Sequence, residues 1–306
     1  MDAPTLRSNM LLMLTATIWG VAFVAQRIGM EHVGPFTFNA VRFALGGLSL
    51  LPVMILAGRP HHDIVHPAPR SGSKILLTGG VLAGAALFAG ASLQQVGIIY
   101  TTAGKAGFIT GLYVVLVPIV GLAWRQRTDA GTWLGALLAA TGLYFLSVTE
   151  HFTISFGDFL ILLGALVWAC HVLLIGWFSP KISALRLSFI QFMVCSGLSF
   201  AAAAATETIT VTGLKGAAPA ILYGGLGSVG IAYTLQVVAQ KHARPSHAAI
   251  ILCMESPFAA LGGWLILDEM MTGRALAGCG LMLFGMIVSQ LYPQVFPSGK
   301  ARQARP

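Results

Sequence analysis

Residues Thr101 to Pro118 read TTAGKAGFITGLYVVLVP and lead from a polar turn into an apolar helix with small residues on one side. A weaker copy of this region follows 142 positions later. The recurring residues are Leu93-Gln94 with Leu235-Gln236, Ala106-Gly107 with Ala248-Ala249, Ile109 with Ile251, and Gly121 with Gly263. In this register Tyr113 falls opposite Glu255. A polar side chain in the middle of an apolar helix is costly, so two at matched positions predict a site shared by two related halves.

The composition predicts an integral membrane protein. Of 306 residues, 56% are hydrophobic and 9% charged, and the mean hydropathy is +0.81. Soluble proteins carry about a quarter charged residues, so this chain cannot solvate a water-facing surface of its size. The net charge of +8 does not predict a nucleic-acid partner, because the positions of the basic residues explain it. The four cysteines lie in apolar runs without ligand-like spacing, and no metal or cofactor is predicted.

Apolar runs of about 20 residues are long enough to cross a bilayer as helices. The sequence contains ten such runs, at 9–28, 35–57, 74–97, 104–124, 131–148, 157–177, 186–205, 216–239, 246–267 and 275–292. The first lacks an obvious cleavage site and is predicted to be a retained span. Period-two alternation, which a β-barrel requires, is absent from these runs.

The basic residues predict the orientation of the spans. With the N-terminus in the cytoplasm, thirteen of the 18 lysines and arginines fall in inside segments and four in outside loops, while Arg42 lies within a span. This bias predicts a multi-pass protein of the cell membrane with both termini cytoplasmic. The basic tail that ends in Lys300-Ala-Arg302-Gln-Ala-Arg305 is then also inside.

The first half, 1–148, is predicted to be repeated in the second half, 149–306. Trp19 matches Trp168 at an offset of 149, and the same offset places Phe43 on Phe192 and Arg42 on Gln191. Because five spans per half is an odd number, the second half must be inverted relative to the first. Inverted repeats are typical of secondary transporters, whose sites lie at the repeat interface near the midplane. The predicted fold is an all-α integral membrane protein with ten transmembrane helices in two inverted five-helix repeats.

The chain resembles the EamA-type branch of the drug/metabolite transporter superfamily over essentially all ten spans. The matching motifs are Ile18-Trp19-Gly20, Tyr100-Thr101-Thr102-Ala103-Gly104-Lys105-Ala106, His247-Ala248-Ala249 leading into Glu255, Pro257 and Phe258, Leu267-Asp268-Glu269, and Ala277-Gly278 through Gly285. The resemblance implies ten helices in two inverted repeats and movement of small organic solutes, often outward. Two departures from the family pattern are Ser256, between Glu255 and Pro257, and Arg125-Gln126-Arg127, where a glutamate often follows the fourth span.

Glu255 is the leading site candidate. It lies ten residues beyond Pro245, roughly 15 Å along a helix and thus near the bilayer centre. It is interpreted as a ligand for a substrate amine or as a proton-coupling group, with a structural carboxyl as the alternative. Pro118 and Pro257 are either hinges or fixed bends. Arg42 either pairs with Glu255 or extends toward the interface.

A set of aromatic and polar residues at membrane depth is predicted to line a substrate cavity, with ordinary packing as the alternative. Its members are Trp19, Arg42, Gln94, Tyr113, Trp168, His171, Gln191, Tyr233, Gln236 and Glu255. The pairs Gly80/Gly84, Gly107/Gly111 and Gly131/Gly135 predict close helix contacts, within one bundle or in a homodimer.

The predicted function is secondary transport of a small organic metabolite such as an amino acid, in the outward direction. Alternating access around a midplane cavity is the predicted mechanism, and protons are a candidate coupling ion. The sequence lacks a Walker A motif, a GxSxG serine and an HExxH pair. A lipid-active membrane enzyme and a non-transporting scaffold remain the alternatives.

Overall fold

The computed structural model describes residues 3–57, 73–124, 128–147, 155–270 and 272–295, and all the regular secondary structure in these ranges is helical. The predicted boundary between the halves at 148 and 149, the residues Arg125 to Arg127, and the basic tail that ends in Arg305 lie outside the described residues.

Ten long helices make up most of the described chain. They are α1 (Ala3–Gly29), α2 (Pro35–Ala57), α3 (Ser73–Gly97), α4 (Ala103–Ala123), α5 (Ala130–Ser147), α6 (Phe156–Phe178), α7 (Ala184–Thr206), α8 (Ala218–Ala239), α9 (Pro245–Leu267) and α10 (Gly273–Val295). Eight of them are long and apolar enough to cross a membrane. In α5 and α10 the apolar stretches are shorter, 130–145 and 273–289. The described residues thus confirm an all-helical membrane protein with eight candidate spans.

Two glutamates tie helix starts to distant parts of the chain. Glu207, which follows α7, accepts hydrogen bonds of 2.8 Å from the backbone N–H groups of Phe36 and Thr37 at the start of α2. Glu269, which precedes α10, accepts them from Ala103 at 2.9 Å and Gly104 at 3.1 Å at the start of α4. Carboxylates are favourable there because the first N–H groups of a helix lack intrahelical partners and carry partial positive charge. These bonds connect the end of α7 to the start of α2 and the end of α9 to the start of α4.

The helices α4 and α9 are interrupted near their middles. In α4 one segment ends at Gly111 and the next begins at Tyr113, and in α9 the segments end at Leu252 and begin at Glu255. Pro257 accounts for the second interruption, because its ring conflicts with the carbonyl one turn earlier, that of Cys253. The interruption in α4 lies six residues before Pro118, which sits inside the second segment. Whether the two prolines act as hinges stays a prediction.

Small residues allow the helices to approach closely. The predicted glycine pairs all face a neighbouring helix of the same chain: Gly80 and Gly84 face Ile190 and Val194, Gly107 and Gly111 face Ala259 and Ser256, and Gly131 and Gly135 face Tyr292 and Ser289. These contacts confirm the predicted faces. Packing joins α1 to α8 and α9, α2 to α7 and α8, α3 to α6 and α7, α4 to α6 and α9, and α5 to α10. The bundle surrounds a central cavity between the helix interruptions.

Candidate functional site

The central cavity brings together nine of the ten predicted site residues. It has about 30 Å³ of space open to water and is lined by Trp19, Phe23, Gln26, Arg42, Gln94, Thr110, Tyr113, Trp168, His171, Val172, Ser228, Tyr233, Gln236 and Glu255. Gln191, the tenth predicted residue, lies next to the lining, where its Oε1 is 3.0 Å from Nε2 of His171. That the cavity binds a solute stays a prediction.

Tyr113 and Glu255, which the sequence repeat aligns, occupy equivalent places in their helices. Each is the first residue of the second segment of an interrupted helix, α4 or α9. Both side chains are 3% exposed and line the same cavity. Discontinuous helices at matched positions are where secondary transporters build their binding sites, because backbone groups at the segment ends lack intrahelical partners.

The carboxyl of Glu255 has no countercharge. No lysine, arginine or histidine nitrogen within the described part of the chain lies within 4.0 Å of it. Its Oε1 has no hydrogen-bond partner among the described residues. A buried carboxylate without a partner is unfavourable, so the site is poised to take up a positive charge.

Arg42 is buried in the opposite charge state and is also without an ionic partner. Its side chain is 2% exposed, and Nε donates a 3.0 Å hydrogen bond to Oδ1 of Asn39. Its guanidinium lies over the rings of Phe38 and Phe43, at 5.4 and 4.9 Å from their centroids. No carboxylate of the described residues is within 4.0 Å of it. Both predicted alternatives are therefore wrong: Arg42 neither pairs with Glu255 nor extends to the interface.

Arg42 and Glu255 line the cavity together with a cluster of aromatic rings. The ring of Tyr233 lies 4.5 Å from that of Trp19 and 6.1 Å from that of Trp168, on which it stacks. Tyr233 also contacts Phe43, Phe192 and His171 at ring distances of 6.1 to 6.2 Å. The predicted pair Trp19 and Trp168 therefore flanks one tyrosine, and the cavity combines an apolar wall with a few polar groups, as small-molecule sites commonly do.

Known proteins with related sequences identify the family. The sequence pattern of the EamA-like transporter family matches residues 6–148 and 155–290. The chain belongs to the EamA-like transporter family. An uncharacterized transporter of Archaeoglobus fulgidus is 35% identical over 92% of this chain and 84% of its own length. The uncharacterized transporter YoaV of Bacillus subtilis is 19% identical over 89% of this chain and 92% of its own length.

A solved structure, titled only "Crystal structure of protein", has the same fold as this EamA-like chain. It superposes with a TM-score of 0.73 at 17% identity and covers 95% of this chain and 99% of its own. The family and the named relatives make this chain a multi-pass membrane transporter and argue against the enzyme and scaffold alternatives.

Two amide side chains and an indole form a hydrogen-bonded ladder among the residues that line the cavity of this EamA-like protein. Nε1 of Trp168 donates to Oε1 of Gln94 at 3.0 Å, and Nε2 of Gln94 donates to Oε1 of Gln26 at 2.9 Å. The repeat-related residues behave differently, since Nε1 of Trp19 donates to the backbone carbonyl of Ser228 and Oε1 of Gln236 has no partner in the described residues. The two halves therefore differ at their shared centre.

Replacing Gln94 with leucine is expected to lower the stability of the folded protein. The substitution leaves Gln26 Oε1 and Trp168 Nε1 buried without these partners, and each such group costs about 1–3 kcal/mol. Gln236→Leu is the matched control, because it removes an amide whose oxygen is unpaired and is expected to be neutral or stabilising when choline chloride is the only salt. Thermal unfolding of both variants in detergent tests this, and equal unfolding temperatures would contradict a structural ladder.

Charged cavities lie at the two ends of α4, whose 21 residues span about 30 Å. The Lys105 cavity, about 660 Å³, includes Arg27, Glu31, Lys105 and Glu269 in its lining. Lys105 contacts the buried Asp158 at 2.6 Å. The second cavity, about 240 Å³, lies at the other end of α4.

Asp129 lines this second cavity together with Arg244 and His247. Its Oδ2 is 3.5 Å from nitrogens of both. Partial burial alone would raise the pKa of Asp129, but hydrogen bonds from Thr132 and the nearby His247 outweigh it and hold the pKa below its usual value. Asp129 is therefore an anion at neutral pH.

The sequence prediction missed Gln26, Thr110, Phe23, Val172 and Ser228 in the cavity lining. Two of these had a usable signal. Gln26 follows Trp19 by seven residues, two helical turns, and Thr110 precedes Tyr113 by three, so each shares a helix face with a predicted residue. Phe23 and Val172 also share a helix face with Trp19 and Trp168, four residues earlier, but an apolar side chain is not distinctive in an apolar sequence, and Ser228 has no predicted residue three or four positions away.

Proposed function

We propose that this protein is a secondary transporter that exports a small organic metabolite such as an amino acid. Ten membrane crossings in two inverted five-helix repeats, divided near residue 148, would enclose the central cavity and open it to either side in turn. The family match in two stretches, 6–148 and 155–290, supports this division. Orientation with both termini in the cytoplasm of a cell-membrane protein follows from the basic residues.

The helix packing supports a two-fold relation between the halves. When each helix is replaced by its counterpart five helices along, the contact between α3 and α6 becomes the contact between α8 and α1, and the structure contains both. In the same way the contact between α2 and α8 corresponds to that between α7 and α3, and the contact between α4 and α6 corresponds to that between α9 and α1. The interruptions of α4 and α9, with Tyr113 and Glu255 in the same role, obey the same relation. One chain suffices for the arrangement, so the proposal does not require a homodimer.

The observation that carries the proposal is the pair of opposite, unpaired charges that line one cavity. Arg42 and Glu255 are each at least 97% buried and lack an ionic partner in the described residues. A solute with both an anionic and a cationic group would neutralise both, and an amino acid is the simplest such metabolite. Protons are the proposed coupling ion, with Glu255 as the residue that exchanges them.

The cavity volumes support alternating access. The central cavity holds about two water-sized spheres, too little for an organic solute. The Lys105 and Asp129 cavities are larger and lie at opposite ends of α4. Transport would therefore require the helices to move apart on one side at a time, with the Gln26–Gln94–Trp168 ladder opening on one of them. Export would run from the Asp129 cavity, on the side of the termini, to the Lys105 cavity.

A counterflow screen in proteoliposomes tests the proposal. Vesicles with the purified protein are loaded with unlabelled amino acids, nucleosides or sugar phosphates, and entry of the labelled compound is measured. We expect counterflow for zwitterionic amino acids and background flux for the other classes. Protein-free vesicles provide the control for leakage. Absence of counterflow for every class would favour the scaffold alternative, and chemical conversion of lipid or solute, read by mass spectrometry, would favour the enzyme.

A further inference from the structure

Four unpaired oxygen atoms belong to residues that line the central cavity. They are Oε1 of Glu255, Oε1 of Gln236, the hydroxyl of Tyr113 and Oγ1 of Thr110. Each residue is at least 97% buried, and none of these atoms makes a hydrogen bond of 3.5 Å or less within the described chain. Buried polar atoms are normally satisfied, so four on one small cavity require an explanation.

The chemistry of the four atoms is that of a cation site. A carboxylate and an amide oxygen are acceptors only, and both hydroxyl oxygens carry lone pairs. One proton would satisfy one of these oxygens, whereas a metal ion contacts several at once. The amide Nε2 of Gln236 carries no charge, and Arg42, the cation that lines the same cavity, lies more than 4.0 Å from the carboxylate of Glu255. The buried carboxylate of Glu255 needs one.

The interrupted helices add negative potential at the same level. The first segments of α4 and α9 end at Gly111 and Leu252, two residues before Tyr113 and three before Glu255. The last carbonyl groups of a helix lack intrahelical donors and carry partial negative charge, which favours cations. Unwound segments of this kind coordinate small cations in membrane transporters.

The small volume of the central cavity favours a free ion over an organic solute. About 30 Å³ open to water accommodates roughly two water-sized spheres, and an amine-bearing solute does not fit without a change of conformation. We infer that the Glu255 side of the central cavity is a binding site for a small monovalent cation, Na⁺, coordinated by Glu255, Tyr113, Thr110 and Gln236. This inference goes beyond the proposed transport, because ion binding is measurable in the absence of any solute or flux.

The test compares ions on the purified full-length protein in detergent. NaCl is titrated against choline chloride and KCl at constant ionic strength and pH, and thermal unfolding and ²²Na⁺ binding are measured. We expect saturable binding of Na⁺ and a rise in Tm of about 5 °C when Na⁺ exceeds its Kd by 100-fold. Choline is expected to have no effect, and KCl a smaller one.

Variants identify the site. Glu255→Gln is expected to abolish the Na⁺ response, and Thr110→Ala and Tyr113→Phe to weaken Na⁺ binding about 3- to 10-fold each. Glu269→Gln, which alters a carboxylate outside the cavity, is expected to retain wild-type Na⁺ affinity. If Glu255→Gln does not fold, the two hydroxyl variants decide.

Several results would overturn the inference. These are equal stabilisation by choline, a Na⁺ response that survives Glu255→Gln, and Na⁺ affinity that is unchanged in both hydroxyl variants. A protein that responds to pH but not to Na⁺ would likewise assign the carboxylate to protons alone. A failed counterflow screen with intact Na⁺ binding would refute the proposed transport and leave the ion site standing.

Discussion

Replacing Glu255 with glutamine is expected to reduce counterflow of the transported amino acid about 10- to 100-fold, because a hydrogen bond to a charged group contributes about 1.5–3 kcal/mol and each 1.4 kcal/mol is a factor of ten. Glutamine preserves the shape of the side chain but carries neither a charge nor an exchangeable acidic proton. The side chain lies at the start of the second segment of α9, inside the cavity. The loss is therefore expected in solute binding rather than in folding.

Glu207→Gln is the matched control for this experiment. Glu207 is also a carboxylate with hydrogen bonds to distant residues, but it caps the start of α2 outside the central cavity. We expect Glu207→Gln to lower the unfolding temperature and to leave the Km for the solute unchanged. Glu255→Gln is expected to raise the Km and to leave the amount of folded protein nearly unchanged. Wild-type transport by Glu255→Gln would reduce this residue to a structural role.

The sequence repeat was sufficient to locate the centre of the molecule. The offset of 142 residues aligned Tyr113 with Glu255, and the structure interrupts α4 and α9 directly before these two residues. The composition was sufficient to predict a membrane protein, because a chain with 9% charged residues has too few of them for a water-exposed surface of its size. Both inferences use only the residue types and their positions in the sequence, and neither requires knowledge of side-chain packing.

Side-chain partners were not predictable in the same way. Arg42 was expected to meet Glu255 or the interface, and it instead lies over Phe38 and Phe43 with its Nε bonded to Asn39. A guanidinium is weakly hydrated and stacks readily on aromatic rings, so an apolar bundle offers it sites other than a carboxylate. Phe38 and Asn39 stand four and three residues before Arg42 on the same helix face, so these partners are local, but the sequence does not say that they are preferred to a distant carboxylate.

The differences between the halves were partly visible in the sequence. Arg125-Gln126-Arg127 replaces a glutamate expected after the fourth span, and Glu269, at the related place in the second half, caps α4. The structure adds Asp129, two residues beyond Arg127, beside Arg244 and His247 at the start of α9. A carboxylate therefore lies near the start of each interrupted helix, but it binds backbone N–H groups at one and side chains at the other. Sequence alignment alone would have indicated that the carboxylate after the fourth span is missing.

Replacing Gly20 with alanine is expected to destabilise the folded protein strongly. A methyl group at Gly20 would lie 2.7 Å from the carbonyl oxygen of Glu255 and 2.9 Å from the backbone nitrogen of Ala259, and closer still to Phe258. These are backbone atoms of α9, so relief requires α1 and α9 to move apart. Overpacking of this kind costs about 1–3 kcal/mol.

Gly197→Ala provides the matched control, because it makes the same change within α7 at a position with no atom within 4 Å of the new methyl group. In both helices the substitution gains about 1 kcal/mol of helix propensity, which alone would raise the unfolding temperature. We therefore expect opposite signs: Gly197→Ala unfolds at or above the wild-type temperature, and Gly20→Ala clearly below it. Because the displaced segment of α9 begins at Glu255, Gly20→Ala is also expected to lose transport, although the new side chain lies outside the cavity lining. An unfolding temperature for Gly20→Ala at or above that of wild type would mean that α1 and α9 are not in close contact. The lining of the central cavity by these two helices would then be wrong.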